Sequence, residues 1–376
     1  MERDELAAWL RLDLTLGNAT ARRLLAAFGL PQRVLSQSEA ALGQLVSSAQ
    51  ARALHTEHEP MAALLEATWQ WLQDAQASGR RRILTLSDPD YPAGLLNTED
   101  PPLMLYVMGE VHAPWPASIA VVGSRNPTPQ GLANARQFAR SFTEAGLTVV
   151  SGLALGVDAA AHEGALEGAA AGQTATIAVV GTGLDRVYPR QHLELARRIE
   201  QSGLVVSEYP LGTPPLAANF PKRNRIIAGL SQGTVVVEAA LKSGSLITAR
   251  QAAEQGKDVF AIPGSIHSPQ SRGCHALLKQ GAKLVDTAQD VLEELPQPNG
   301  HRPRAPAQQA SSERNTTAEP HDGLLAALGF DPVSLDALVA RTGVSPAHLQ
   351  AKLLELELDG EVARLPGGLF QRVGAG

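Results

Sequence analysis

The chain has 376 residues, of which 44% are hydrophobic and 19% charged, with a net charge of −6 and one cysteine, Cys274. At roughly 100–200 residues per domain this predicts two or three domains, and a lone cysteine excludes both a disulfide framework and a thiolate zinc cluster. No stretch approaches the roughly 18 apolar residues of a membrane span, and the N-terminus is acidic where a signal peptide is basic, so a cytoplasmic protein without a membrane partner is expected.

Residues 1–81 read as a helical module. Leu6, Trp9, Leu10 and Leu14 recur at helical spacing, Asn18 offers a cap to the helix that carries Leu24, Leu25 and Phe28, and a further helix over 61–77 carries Leu64, Leu65, Trp69 and Leu72. From residue 82 to 295 the pattern changes to short apolar, Gly-bounded runs (ASIAVVG, LTVVSG, TATIAVVG, GLVVSE, GTVVVEAA, KDVFAIPG) alternating with Ala-rich helical stretches. Continuous apolar strands alternating with helices predict an α/β domain, a Rossmann-like doubly wound parallel sheet covered on both faces. Residues 296–320 hold five prolines and no apolar residue larger than alanine, the composition of a flexible linker. Residues 321–376 read as helix, turn, helix and hairpin, with Ser334 and Ser345 as caps and a turn at Pro366-Gly367-Gly368, the pattern of a winged-helix-like domain.

Ligands of open parallel sheets bind beyond the C-terminal strand ends, and five loops there are unusual. They carry Gly123-Ser124-Arg125, Gly152 in a loop running to Asp158 with His162 one turn later, Gly181 with Arg186, Glu208 followed by Lys222-Arg223-Asn224-Arg225, and Glu238 followed by Lys242-Ser243-Gly244-Ser245. Glycine and serine let backbone N–H groups approach an anion, and arginine and lysine add full charges. Between residues 181 and 283 there are 13 Lys and Arg against 7 Asp and Glu, an excess of +6 inside a chain of −6. Basic residues at a helix N-terminus oppose the macrodipole, so the Lys222–Arg225 cluster predicts an anion nearby.

A dinucleotide fits poorly, since no G-x-G-x-x-G follows the first strand; Walker and G-x-S-x-G motifs are also missing, and the ten histidines show no metal-ligand spacing. His162, Glu208 and Glu238 are expected to make structural hydrogen bonds, and Cys274 to be a buried small residue. With only 15 aromatic residues, serial base stacking is excluded and a nucleic-acid strand held mainly by its phosphates fits better. The rival is a nucleotide-processing enzyme or nucleotide sensor on a related fold, with Glu238 as its carboxylate.

In this order the motifs resemble the DNA-processing protein A family (DprA, also called Smf): GSR at Gly123, SGLALGVDAAAH at Ser151, GTGLDRVYP at Gly181, SEYP at Ser207, FPKRNRIIAGLS at Phe220, VVEAALKSGSLITA at Val236 and VFAIPG at Val259. The resemblance covers roughly residues 91–285, and one departure from it is His275, where asparagine is expected. It implies a cytoplasmic homodimer, joined through the Rossmann-like domain, that binds single-stranded DNA without catalysis or cofactor. It further implies protection of incoming DNA and loading of RecA for homologous recombination in natural transformation. It also implies a basic DNA pocket containing Arg125, onto which Lys222, Arg223 and Arg225 are carried by motif position; Arg186 and Lys242 are added from charge and loop location. The N-terminal module resembles SAM or helix-hairpin-helix modules, without the doubled glycine of phosphate binders. Residues 322–372 hold 4 basic and 7 acidic residues, a balance suited to protein contact or weak DNA modulation rather than to reading the major groove.

Overall fold

The computed structural model describes residues 1–56, 59–78, 80–109, 114–295, 324–325, 327–329 and 332–373. The helical module, read from the sequence as three or more helices, has six among the described residues: α1 (Arg3–Thr15), α2 (Asn18–Phe28), the short α3 (Pro31–Leu35), α4 (Glu39–Leu42) and α5 (Ser48–His55), and the long α6 (Glu59–Ser78). A reciprocal Ser47/Gln50 capping box starts α5, and Pro31 opens α3. Asn18 is not a cap. Gly17 occupies that position, and Asn18, already helical, sends its amide to Asp100 at 3.2 Å. The module has no core of its own: Leu6, Trp9, Leu10 and Leu24 join Met104, Tyr106 and Val205 of the neighbouring sheet in one continuous cluster.

The α/β domain runs β1 (Arg81–Thr85), α7 (Ala93–Leu96), β2 (Met104–Gly109), β3 (Ser118–Val122), α8 (Pro129–Glu144), β4 (Thr148–Ser151), α9 (Val157–Gly168), β5 (Thr176–Val179), α10 (Leu193–Ser202), β6 (Leu204–Ser207), α11 (Asn219–Leu230), β7 (Gly233–Val236), α12 (Ser245–Glu254), β8 (Asp258–Ala261), α13 (Arg272–Lys279), β9 (Lys283–Leu284) and α14 (Ala288–Glu294). The nine strands lie in the order β1-β2-β6-β5-β4-β3-β7-β8-β9. Strands β3 to β8 are the six Gly-bounded runs, each parallel to its neighbours within that set. β1 and β2 depart from the all-parallel expectation: β1 pairs antiparallel with β2, and β2 antiparallel with β6. The period of two along a strand divides the core: Ile119, Val121, Val149 and Val235 face α8 and α9, whereas Ala120, Val122, Val150 and Val236 face α11, α12 and α13.

From β3 the chain winds through β4 and β5 to β6 on one side, then crosses back to β7, β8 and β9 on the other. The reversal between β3 and β7 is a topological switch point, and it opens a crevice at their carboxyl ends. The C-terminal domain comprises β10 (Val333–Ser334), α15 (Leu335–Thr342), α16 (Pro346–Leu358), β11 (Val362–Leu365) and β12 (Leu369–Arg372), with strand order β10-β12-β11 around its own core. Ser334 caps α15 by accepting from Ala337 N, but Ser345 makes no side-chain cap, and α16 opens on Pro346 instead. The linker read over 296–320 lies outside the described residues. Among the described residues no helix is long and apolar enough to cross a membrane, and no group of three metal-ligating side chains forms.

Candidate nucleic-acid interface

Arg223 forms the floor of the crevice. Its guanidinium donates to the carbonyls of Gly152, at 2.5 Å, and Val179, at the ends of β4 and β5, and it faces Asp158 of α9 at 3.9 Å. Glycine at 152 is required because a Cβ there would run into this guanidinium. Burial lowers the Arg223 pKa to about 10 and raises that of Asp158, each opposed by the other's charge. The pair compensates itself and leaves little charge for a ligand.

The β4–α9 turn holds the Gly152 carbonyl in place. Leu153 takes a left-handed φ of 55°, rare for a branched residue. Two histidines fix it: Leu153 N–H donates to His162 Nε2 at 3.2 Å, and His192 Nδ1 donates to its carbonyl at 2.9 Å. His162 Nδ1 then carries the proton toward Thr176 Oγ1, at 2.7 Å, whose hydroxyl donates to Val149 O. Burial, reinforced by the Arg223 charge, pushes the His162 pKa down to about 3. His162 is therefore a neutral structural acceptor, as the sequence indicated.

The crevice, of about 720 Å³, opens above that floor. Gly123, Ser124 and Arg125 enter it from the β3–α8 loop, Arg223 and Asn224 from α11, and Lys242, Ser243, Gly244 and Ser245 from the start of α12. Arg125 and Lys242 are exposed and have no carboxylate partner among the described residues. Arg125 instead lies over the Phe220 ring, 5.5 Å from its centroid, and Phe220 packs against Tyr188 at 5.5 Å. The Asn224 amide donates to Gly244 O at 3.2 Å, tying α11 to the N-terminus of α12, while Gln270 bridges the Ser124 hydroxyl and the Asn126 carbonyl. Two free cations, a helix N-terminus and a two-ring platform together suit a phosphate beside an unstacked base.

The remaining candidates stand elsewhere. Gly181 sits behind Asn219 and Phe220, Arg186 pairs with Asp185 at 3.1 Å, and Lys222 is exposed outside the lining. Arg225 points away, bonding Glu208 and reaching Asp100 at 3.9 Å. The anion predicted beside the basic cluster is thus internal for two of its members: Asp158 for Arg223, Glu208 and Asp100 for Arg225. Glu238 accepts from Thr128 N at 2.9 Å and Thr128 Oγ1 at 2.6 Å, anchoring the start of α8. Cys274 is fully buried, its pKa pushed up to about 12 by desolvation, and His275 Nε2 bonds Gly264 O at 2.9 Å. Sequence reasoning missed Tyr188 and Phe220 as lining residues. Their signal was an aromatic directly before proline in two of the quoted motifs.

Residues 82–296 match the family of DNA recombination-mediator protein A, and residues 301–368 match the DprA winged helix domain. Protein Smf of Escherichia coli is 44% identical over 306 residues, covering 81% of this chain and 80% of that protein. DNA processing protein DprA of Streptococcus pneumoniae is 47% identical over 211 residues, covering 56% and 73% respectively. Its X-ray structure superimposes with a TM-score of 0.61 at 36% identity, over 79% of this chain and 99% of that one. A second structure, of Helicobacter pylori DNA processing protein A and its single-stranded DNA binding mode, matches with a TM-score of 0.51 at 32% identity over 57% of this chain and 98% of that one.

Proposed function

The chain belongs to the DNA recombination-mediator protein A family, and on that premise we propose that its crevice binds single-stranded DNA, which the protein protects and passes to RecA in natural transformation. The observation that carries this reading is the pair of free cations, Arg125 and Lys242, set beside the α12 N-terminus and the Tyr188–Phe220 platform. Phosphates meet the cations and the helix terminus, and a base meets the rings. Such contacts give high salt dependence and little sequence preference. Arg223 and Asn224 act by shaping the crevice, and Lys222 and Arg186 are reserved for a strand that runs on past its rim.

Homodimerisation through the α/β domain belongs to the same reading. It is supported by the sheet ending at β9, whose Leu284 is 58% exposed, since an open strand edge invites a partner. A nucleotide-processing enzyme would need a free carboxylate at a strand end, and both Glu208 and Glu238 are engaged.

The test is equilibrium binding of fluorescent single-stranded DNA and matched duplex across a salt series, to the wild type and to Arg125→Ala and Lys242→Ala. Each substitution is expected to weaken single-strand binding irrespective of sequence and to lower the salt slope by about 0.7. Unchanged affinity in both variants would remove the crevice from consideration.

A further inference from the structure

We propose, on the premise that the crevice binds single-stranded DNA, that Arg22 and Asp100 are positioning residues for it, through which the helical N-terminal module sets the seat of α11. None of the described residues before Val122 lines the crevice, so the module does not touch DNA held there. It does hold the helix that shapes it. Arg22, on α2, donates to Asp100 Oδ1 at 2.8 Å and to the carbonyls of Pro101 at 3.0 Å and Glu99 at 3.2 Å, and Asn18 adds a bond to Asp100 Oδ2. Asp100 reaches Arg225 of α11, which bonds Glu208 at the end of β6.

Arg223 and Arg225 are two residues apart, roughly 200° around the helix. One grips the strand ends beneath the crevice and the other grips Glu208 and faces Asp100, the carboxylate that the module holds, so α11 is held from opposite sides. The Arg225 side chain is 15% exposed and that of Glu208 10%, and Nη1 of Arg225 is buried with no hydrogen-bond partner. A buried guanidinium in that condition depends on the two carboxylates, and one of them, Asp100, is held among the described residues by Arg22 and Asn18. The same helix carries Phe220 into the ring platform and Asn224 onto the Gly244 carbonyl. Any shift of α11 therefore moves the base platform and the phosphate-facing end of α12 together.

The experiment measures single-stranded DNA affinity over a salt series, with chemical denaturation alongside, on the full chain and on Arg22→Ala, Asp100→Asn, their double variant and Arg22→Lys. Arg22→Ala and Asp100→Asn are each expected to lose about tenfold in affinity, and the double variant no more than the worse single, because both cut one link. The salt slope should stay at the wild-type value, since no phosphate contact is removed. Arg22→Lys, which keeps the charge, should recover part of the loss. Arg3→Ala, which cuts the exposed Arg3–Glu66 pair inside the module, should bind as wild type. If the wild type binds and the near-isosteric Asp100→Asn binds equally well, whatever its stability, the link is structural only and the inference is wrong. If the wild type itself does not bind, the reading on which it rests fails first.

Discussion

Arg223 and Arg125 meet in one crevice and contribute opposite things to it. Arg223 is 4% exposed and bonded to two strand-end carbonyls, so its removal uncovers them and leaves Asp158 buried without its cation. Arg223→Ala is therefore expected to lower the unfolding free energy by about 3–5 kcal/mol, the cost of breaking a buried pair. Arg125 is exposed against an aromatic ring, and Arg125→Ala should change stability by no more than about 0.5 kcal/mol while it weakens DNA binding. Chemical denaturation separates the two; equal stability losses would contradict the assignment. The cluster Lys222-Arg223-Asn224-Arg225 was legible in the sequence as charge, and its place at the start of a helix was legible too. Direction was not, because which face of α11 meets the crevice depends on how the helix docks. Successive helical residues diverge by about 100°, which already implies that these cations cannot all face one ligand. Glu208, Glu238, His162 and Cys274 were read correctly because a buried polar group satisfied by its neighbours is the ordinary outcome.

The β4–α9 turn is an element whose stability should depend on pH. His162 has an ordinary pKa near 6.5 when unfolded and about 3 when folded, so the native state excludes a proton that the unfolded chain accepts. Its contribution is fully present above pH 6.5 and is lost as pH falls. Between pH 7.5 and 5 the wild type should lose about 2 kcal/mol more than His162→Gln, measured by denaturant titration at each pH. Parallel pH profiles would show that the imidazole does not anchor Leu153. The parallel strands β3 to β8 were legible because each is an apolar run closed by glycine. The antiparallel β1 and β2 were not, since hydrophobic pattern carries no strand direction. Asn18 illustrates the same limit at a helix start: the residue type fits a cap, but tertiary bonding to Asp100 takes its side chain.

At the scale of the whole molecule, charge is segregated. The stretch 181–283 carries the cations, while the C-terminal domain presents Glu355, Glu357 and Asp359 beside Leu354 and Leu358, which are 57% and 81% exposed. That face of α16 offers phosphates nothing. Deleting residues 296–376 is expected to leave single-strand affinity within about threefold of the full chain in the same binding assay. A much larger loss would assign the C-terminal domain a direct share of the interface. The three-part layout was legible from composition shifts alone. The shared core between the helical module and the sheet was not, because apolar periodicity marks a buried face without naming what covers it.

The stacking of Arg125 on Phe220 also bears on the speed of capture. Arg186 must part from Asp185 before it can meet a phosphate, whereas Arg125 lies over a ring and has no ion pair to break among the described residues. Its side chain is ordered in advance, so little rotamer entropy remains to be lost on contact. On the proposed reading a passing strand would meet a cation already aimed, and the association rate is expected to follow diffusional encounter rather than rearrangement of the crevice.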